Sequence, residues 1–128
     1  MPADQNLLNL NISASHNIDI WAKLFNATPE KITEALEMWG LIKFQKMFDI
    51  PVLKFSTGMR RRLGLAIAHI IDSYCILLDE PSFGLDTMGI QLLTGNLEYF
   101  RRSGKIIILV NHIELPIEYD QMIDFGVS

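Results

Sequence analysis

Two unbroken apolar segments, at 74–78 and 106–110, constrain the possible folds of this chain more than any other feature. Their sequences are YCILL and IIILV, and continuous apolar runs of this length are typical of strands that are covered on both faces of a parallel sheet. The intervening stretch 86–102 has apolar residues at helical spacing and is followed by Gly104, so it predicts a crossover helix. We therefore expect a βαβ unit. The positions predicted to face the sheet are Ile90, Leu93, Leu97 and Phe100.

The sequence before the first predicted strand is typical of helices. Short helices are predicted within 17–50, and one of them has Thr28 as a capping residue, Pro29 at its first position and Gly40 beyond its end. A longer helix is predicted over 56–72, because apolar residues recur there on one helical face. The residues on that face are Leu63, Ala66, Ile67, Ile70 and Ile71.

Composition favours one globular domain and excludes several classes of function. Apolar residues make up 49% and charged residues 20% of the 128 residues, which is typical of a folded domain. The net charge of −4 argues against nucleic acid as a partner, because proteins that neutralise nucleic-acid phosphates usually carry a basic excess. No apolar run approaches the roughly 20 residues that span a bilayer, and the N-terminus shows no secretory-signal pattern.

The chain has no internal repeat, low-complexity tract or flexible linker that would divide it. We therefore interpret residues 6–73 as a helical subdomain inserted in one domain, and residues 74–128 as the part that carries the sheet. The single cysteine, Cys75, excludes a disulfide framework. Because it lies in an apolar run, we interpret it as a small buried core residue.

Two acidic residues, Asp79 and Glu80, follow the first predicted strand directly. Open α/β folds bind their ligands at the carboxyl ends of parallel strands, so these carboxylates are expected at a ligand-binding edge. An aspartate there can hold Mg²⁺, and a glutamate can accept a proton from a water during phosphoanhydride hydrolysis. The pair alone is also compatible with a solvated strand end that leads into a turn at Pro81.

A second candidate site lies at the predicted start of the long helix. Ser56, Thr57 and Gly58 place a hydroxyl group and a small-residue turn at a helix N-terminus, where free N–H groups and the helix dipole favour an anion such as phosphate. Three arginines follow at 60–62, where cations oppose the dipole, so helix stability does not explain them. The alternative interpretation of these arginines is a solvated basic face.

Taken in order, these motifs resemble those of the ATP-binding subunits of ABC transporters. STGM at 56–59 resembles the signature motif in its serine and second glycine, LLDEP at 77–81 resembles Walker B, and GLD at 84–86 resembles the D-loop. His112 follows the second strand like the switch histidine, and Gln5 precedes the helical part like the Q-loop glutamine. The resemblance implies an α/β fold, namely a partial P-loop NTPase (ABC ATPase) fold with a mostly parallel sheet and a helical signature subdomain.

The resemblance also implies roles for residues that act on ATP and Mg²⁺ within the same subunit. Asp79 would organise the Mg²⁺ ion, and Glu80 would polarise the attacking water. His112 would bind the γ-phosphate and orient that water. These residues would carry the hydrolysis step.

Other residues are implied in contacts between subunits. In the family, two ATPase subunits enclose two ATP molecules, so Ser56 and Gly58 would contact the γ-phosphate held by the partner subunit. Asp86 would link the two sites, and Gln5 would couple the nucleotide to an integral-membrane transporter subunit. The chain would then lie peripherally on the cytoplasmic or mitochondrial matrix face of an inner membrane.

The resemblance has one large gap, because no Walker A loop of the form G-x-x-x-x-G-K-[ST] occurs in the chain. The only Gly-Lys pair, at 104–105, begins a predicted strand. Because the family places this loop before the Q-loop, at which this chain begins, we expect a separate chain or segment to supply it together with the first strands of the sheet. Smaller departures are Met59 for the signature glutamine, Thr57 for its first glycine and Asn111 before the histidine.

Within the family, the chain most resembles the heme-exporter ATPases of cytochrome c maturation. The segments that carry this resemblance are NIDIWAKL at 17–24, EALEMWGL at 34–41 and DTMG at 86–89. GMRRRL at 58–63 instead resembles ATPases that export drugs, lipids or polysaccharides. Both exporter classes therefore stay open.

Three functions follow from these patterns. The first is an ATP-hydrolysing transporter subunit that is expected to be inactive alone because it lacks the Walker A loop. The second is a non-catalytic, ABC-like remnant that binds a partner. An ABC ATPase of DNA repair or translation is disfavoured by the acidic charge and by a helical part too short for a long coiled coil.

Overall fold

A computed structural model describes residues 7–111 and 115–117, and the structural statements below concern these residues. Helices come first and the two strands later, as the sequence predicted. Two short 3₁₀ helices, Ile42–Met47 and Val52–Lys54, connect the second and third α-helices. The other elements are α1 (Ala14–Leu24), α2 (Pro29–Met38), α3 (Thr57–Ile71), β1 (Cys75–Asp79), α4 (Thr87–Arg102) and β2 (Ile106–Val110).

The strands β1 and β2 lie side by side and run parallel, with Cys75 opposite Ile106 at one end and Asp79 opposite Val110 at the other. The helix α4 crosses from the end of β1 to the start of β2 and packs on β2. The predicted βαβ unit and the α/β fold class are therefore confirmed. The three positions of α4 that are most buried against the core are Leu93, Leu97 and Phe100.

Local sequence signals determine where the helices begin and end. Each α-helix starts after a residue whose side chain accepts a hydrogen bond from the backbone N–H three positions along, which satisfies one of the free N–H groups at a helix start. These capping residues are Ser13, Thr28, Ser56 and Asp86. Beyond the C-termini of α2 and α4, Gly40 and Gly104 adopt φ values of 67° and 87°, which glycine accepts without a steric penalty. Among the described residues, no helix is both long and apolar enough to cross a bilayer.

The helix α3 lies at the centre of the core and packs against α1 and α2. Four of the five predicted core positions, Leu63, Ala66, Ile67 and Ile70, are at most 2% exposed, whereas Ile71 is half-buried. Every residue from 61 to 70 is buried, including polar ones. The prediction of a helix with one apolar face is therefore incomplete, because neighbouring segments surround α3 over these ten residues.

Buried asparagines join segments that are far apart in sequence. The Asn96 side-chain amide on α4 donates a hydrogen bond of 2.8 Å to the Met38 carbonyl at the end of α2. The Asn17 side chain on α1 accepts from the Asn9 N–H at 2.8 Å and donates to the Asn9 carbonyl at 3.0 Å. The Asn96 bond ties the end of α2 to α4, and the Asn17 bonds tie the segment before α1 to that helix.

Within the described residues, the sheet is covered on one of its two faces. Ile76 and Leu78 are 6% and 2% exposed and face the core, whereas the alternate residues along both strands are exposed. We call this second surface the open face, and it consists of Cys75, Leu77, Ile106, Ile108 and Val110. The predictions that both strands are covered on both faces and that Cys75 is buried are therefore wrong for this chain. The physical reason is that successive side chains of a strand point to opposite faces, and the described helices lie against one of them.

Candidate functional site

Asp79 and Glu80 lie at the carboxyl ends of the parallel strands, as the sequence predicted. Asp79 is the last residue of β1 and is half-buried. Since residues two apart in a strand share a face, Asp79 lies on the same side of the sheet as Cys75 and Leu77. Its carboxylate therefore stands at the carboxyl-end border of the open face.

Glu80 begins a turn that we call the 80–86 turn. Its backbone N–H donates a hydrogen bond of 2.6 Å to the Val110 carbonyl at the end of β2. Its φ of 52° lies in the left-handed region, which is uncommon for a residue with a side chain and is concentrated at functional sites. The Ser82 hydroxyl donates to the Asn111 side-chain oxygen at 3.1 Å. The turn is thus attached to both strand ends, which fixes the direction in which the Glu80 side chain leaves the sheet.

Ser56 lies at a helix start, also as predicted. It is exposed, and its hydroxyl oxygen accepts a hydrogen bond of 3.1 Å from the Met59 N–H. A serine hydroxyl has one donor and two acceptor positions, so capping α3 leaves its O–H able to donate to an anion. Because α3 has 15 residues, its dipole adds to the attraction for negative charge at this end.

The structure brings the start of α3 into contact with the 80–86 turn. Gly84 has a φ of 79°, and a Cβ atom added there would lie 2.6 Å from the Thr57 Cγ2. A Cβ atom added to Gly58 would lie 3.1 Å from the Gly84 carbonyl oxygen. Close approach therefore disfavours a side chain at both positions, and the positive φ also favours glycine at Gly84. The signature-like segment and the D-loop-like segment of this one chain form a single surface.

Asp86 ends this turn and caps α4, accepting a hydrogen bond of 2.8 Å from the Gly89 N–H. That bond, and secondarily the charge of Arg62, hold the pKa of Asp86 below its usual value. Asp86 is therefore ionised at neutral pH, and most of its side chain is exposed.

Two arginines of the 60–62 run have a role that the sequence did not reveal. Arg61 and Arg62 are each only 8% exposed, so the interpretation of this run as a solvated basic face is wrong for both. The Arg61 Nε donates to the Phe83 carbonyl at 3.2 Å, and the Arg62 guanidinium lies 3.5 Å from an Asp86 carboxylate oxygen. The one sequence signal for this burial was the placement of cations at the positive end of the helix dipole.

Gln5 and His112 were also predicted as site residues, and both lie outside the described residues. Within 7–111 and 115–117, no cluster of three or more histidine, cysteine or acidic side chains could hold a metal ion. Asp79 nevertheless fits Mg²⁺, because this ion is often held by one or two carboxylates together with phosphate oxygens and water. The donor set of the site therefore suits a metal that arrives with a nucleotide.

Comparison with known proteins identifies the relatives of this chain. No family model matches it. It is 36% identical over 109 residues to the lantibiotic transport ATP-binding protein SrtF of Streptococcus pyogenes, in an alignment that covers 85% of this chain and 46% of the relative. A solved chain described as an ATP-binding subunit of an ABC transporter matches with a TM-score of 0.71 and 20% identity, over 83% of this chain and 45% of that chain. This chain is a homologue of ABC transporter ATP-binding subunits.

The chain spans less than half the length of these relatives, at 46% of SrtF and 48% of the cytochrome c biogenesis ATP-binding export protein CcmA of Histophilus somni. The CcmA alignment shows 30% identity over 107 residues and covers 82% of this chain. The structural match confirms the partial ABC ATPase fold. Because relatives named for lantibiotic transport and for cytochrome c biogenesis both match, heme export is not distinguished from other transport roles.

Proposed function

We propose that this chain is the part of an ABC transporter ATPase that carries the signature, Walker B and D-loop elements, and that it binds and hydrolyses ATP once another chain or segment supplies a Walker A loop. The open face of the sheet is the observation that carries this function. Parallel sheets are normally covered on both faces, whereas here Ile106 and Ile108 are 49% and 50% exposed. Exposed apolar surface of this kind is typical of a surface that another polypeptide covers.

The position of Asp79 connects the open face to ATP. The aspartate stands at the carboxyl end of the same face as Cys75 and Leu77, at the edge where parallel sheets bind ligands. A polypeptide that covered the open face would therefore extend to the carboxylate that suits Mg²⁺. This geometry supports a nucleotide site that is completed by the covering polypeptide.

The bound nucleotide would supply the phosphoanhydride that is cleaved, and Mg²⁺ would neutralise part of its charge. Asp79 would hold the metal. Glu80 would accept a proton from the attacking water, and the hydrogen bond from its backbone to Val110 would keep the carboxylate in place. Ser56 and Gly58 would meet the γ-phosphate bound by a second ATPase subunit, which the exposed position of Ser56 permits. The remaining proposed residues are Asp86 for communication between the sites, His112 for γ-phosphate contact and Gln5 for coupling to transport.

The proposed partners are an integral-membrane transporter subunit, a second ATPase subunit and the source of the Walker A loop. The chain would act at the cytoplasmic or matrix face of an inner membrane. For the transported substrate we propose heme, on the segments that resemble heme exporters and on the match to CcmA. The match to SrtF, at 36% identity, favours lantibiotic transport as the second candidate.

ATP binding by the chain alone tests the need for a Walker A loop. We expect a titration of the purified chain with a fluorescent ATP analogue to show no appreciable binding, because Asp79 has no phosphate loop beside it. The assembly purified from native membranes through a tag on this chain should bind and hydrolyse ATP, and should contain a polypeptide with a Walker A motif. Tight ATP binding by the chain alone, or an assembly without ATPase activity, would contradict the proposed function.

A charge on the open face tests where the covering polypeptide binds. When the assembly is purified through a tag on this chain, we expect Ile108→Glu to reduce the amount of the covering polypeptide that is recovered by about tenfold or more, because a carboxylate would be buried without a partner. The matched control is Leu24→Glu on α1, since Leu24 is 66% exposed and lies outside the sheet. Because Ile108 is half exposed, both isolated variants should keep the unfolding midpoint of the wild type.

The reactivity of Cys75, the only cysteine of the chain, gives a second measurement on the same surface. Since Cys75 is exposed, a maleimide should label it rapidly in the isolated chain and slowly in the assembly. Equal labelling in both states, together with normal recovery of the Ile108→Glu variant, would place the covering polypeptide elsewhere.

A further inference from the structure

We infer that Arg61 and Arg62 are positioning residues that lock the 80–86 turn to the start of α3, so that Ser56 and Asp86 move as one rigid unit during the ATPase cycle. This inference rests on the proposed function, because Ser56 and Asp86 belong to a nucleotide site only if the chain is part of an ABC ATPase. It adds a mechanical connection within one subunit that neither the motifs nor the relatives assign.

Arg61 holds the middle of the turn. Its Nε donates a hydrogen bond of 3.2 Å to the Phe83 carbonyl, and its guanidinium lies 6.0 Å from the centre of the Phe83 ring. A planar guanidinium can make both contacts at once, whereas a lysine ammonium has no equivalent planar donor. The position of Phe83 thus depends on the orientation of an arginine fixed within α3.

Arg62 holds the end of the turn. Its guanidinium lies 3.5 Å from an Asp86 carboxylate oxygen, and its side chain is 9% exposed while that of Asp86 is 74% exposed. One partner is therefore buried, and the other reaches the surface, where a second subunit can contact it. A displacement of Asp86 must either break this ion pair or move α3.

Steric contact prevents the turn from sliding along α3. The Gly84 backbone lies against Thr57, and the Gly84 carbonyl lies against Gly58, so closely that a Cβ atom on either glycine would meet an atom within 3.1 Å. Packed interfaces of this kind tend to have discrete arrangements and deform little. The polar contacts and the close packing together make the turn and the start of α3 one body.

Stability alone does not account for these arginines. Burying a guanidinium costs desolvation free energy, and well-packed apolar residues of similar volume are often as stabilising as a buried ion pair. Both arginines also lie near the positive end of the α3 dipole, which is unfavourable for cations. The two guanidinium groups instead add a hydrogen bond and an ion pair of defined geometry between α3 and the 80–86 turn.

The test measures kcat and KM of the ATP-hydrolysing assembly with variants of Arg62. We expect Arg62→Met, which keeps most of the side-chain volume, to lower kcat about tenfold while KM for ATP changes less than about twofold, since ATP is held by other residues. Arg62→Lys should keep most of the activity, because a point charge can still reach Asp86. Arg61→Lys should lose activity, because the Phe83 contacts need the guanidinium.

A double-mutant cycle separates positioning from a merely structural role. If Arg62 acts through Asp86, Arg62→Met should cause little further loss of kcat in an Asp86→Asn background. The control is Arg102→Met, which removes an exposed arginine paired with Glu98 at 3.2 Å on α4 and should leave kcat unchanged. Should Arg62→Met fail to assemble, Arg62→Gln, which also removes the charge, completes the same cycle.

Each outcome has a distinct meaning. Provided that Asp86→Asn lowers kcat, three results would overturn the positioning role. The first is an Arg62→Met variant with wild-type kcat, and the second is a loss of kcat that persists when lysine replaces Arg62. The third is a double variant in which the two losses of kcat multiply as independent effects. An Asp86→Asn assembly with wild-type kcat would instead refute the proposed role of the D-loop-like segment. An assembly that hydrolyses no ATP would remove the proposed function itself.

Discussion

Replacing Glu80 by glutamine is expected to lower the ATP turnover of the assembled ATPase by roughly 10²- to 10⁴-fold while ATP binding is kept, as the loss of a general base does. The carboxylate follows the last residue of β1, and its backbone is held by the hydrogen bond to Val110. Glutamine has nearly the same size and accepts the same backbone conformation, but it cannot take up a proton. The substitution therefore removes the chemistry without moving the turn.

Single-turnover and steady-state ATPase assays, with ATP affinity measured separately, check this expectation. Glu37→Gln on α2 is the matched control, because Glu37 is an exposed acidic residue away from the sheet and its replacement should leave turnover unchanged. Unchanged turnover in Glu80→Gln would show that another group accepts the proton. A parallel loss of ATP affinity would point to a binding role.

The second large effect is expected from His69, whose burial makes folding depend on pH. This residue lies on α3, is 3% exposed and makes an edge-to-face contact with Phe100 at 4.9 Å between ring centres. Burial, followed by repulsion from Lys31, lowers the pKa of His69 from 6.5 to about 4, although Glu34 lies 3.7 Å from its Nε2 and opposes the shift. The native protein therefore holds this imidazole neutral.

The sign of the pH effect follows from proton uptake. Between pH 6.5 and about 4 the unfolded chain binds a proton on His69 that the folded chain does not, so the free energy of unfolding falls as the pH falls through this window. The full contribution is about 3 kcal/mol, at 1.36 kcal/mol for each unit of pKa shift. Well above pH 6.5 the residue is neutral in both states and contributes no pH dependence. Asp72 and Asp86 have lowered pKa values, so their stabilising contributions are lost only below 3.8.

Urea unfolding at pH 7 and at about pH 4.5 measures this difference. The wild type is expected to lose about 2 to 3 kcal/mol more than His69→Gln over that interval. His16→Gln is the matched control, since His16 is exposed on α1 and should retain the wild-type pH dependence. Equal pH dependence in His69→Gln and in the wild type would mean that the pKa of His69 is the same in the folded and the unfolded chain.

Much of the candidate site could be predicted because its motifs are local. Ser56 at the start of α3 and Asp79 at the end of β1 both stand where the sequence placed them. A capping serine, a glycine turn and an apolar strand are each defined by a few neighbouring residues, so one sequence suffices to locate them. Gln5 and His112 remain predictions, since they lie outside the described residues.

The errors of prediction all concern burial. Cys75 was predicted to be buried and is exposed, whereas Arg61 and Arg62 were interpreted as solvated and are buried. An apolar run can indicate that a strand is suited to a core but not which of its faces is covered in a given chain. An arginine run likewise does not show whether a turn 20 residues later packs over it.

The sequence by itself determined the order of helices and strands, the caps and ends of the helices, and the placement of a serine and two carboxylates at element ends. Tertiary structure alone decided that α3 is enclosed on all sides from 61 to 70, that Arg62 reaches Asp86, and that one face of the sheet is left open. The physical reason is that backbone conformation depends mainly on neighbouring residues, while burial and ion pairing depend on contacts between segments that are distant in the chain.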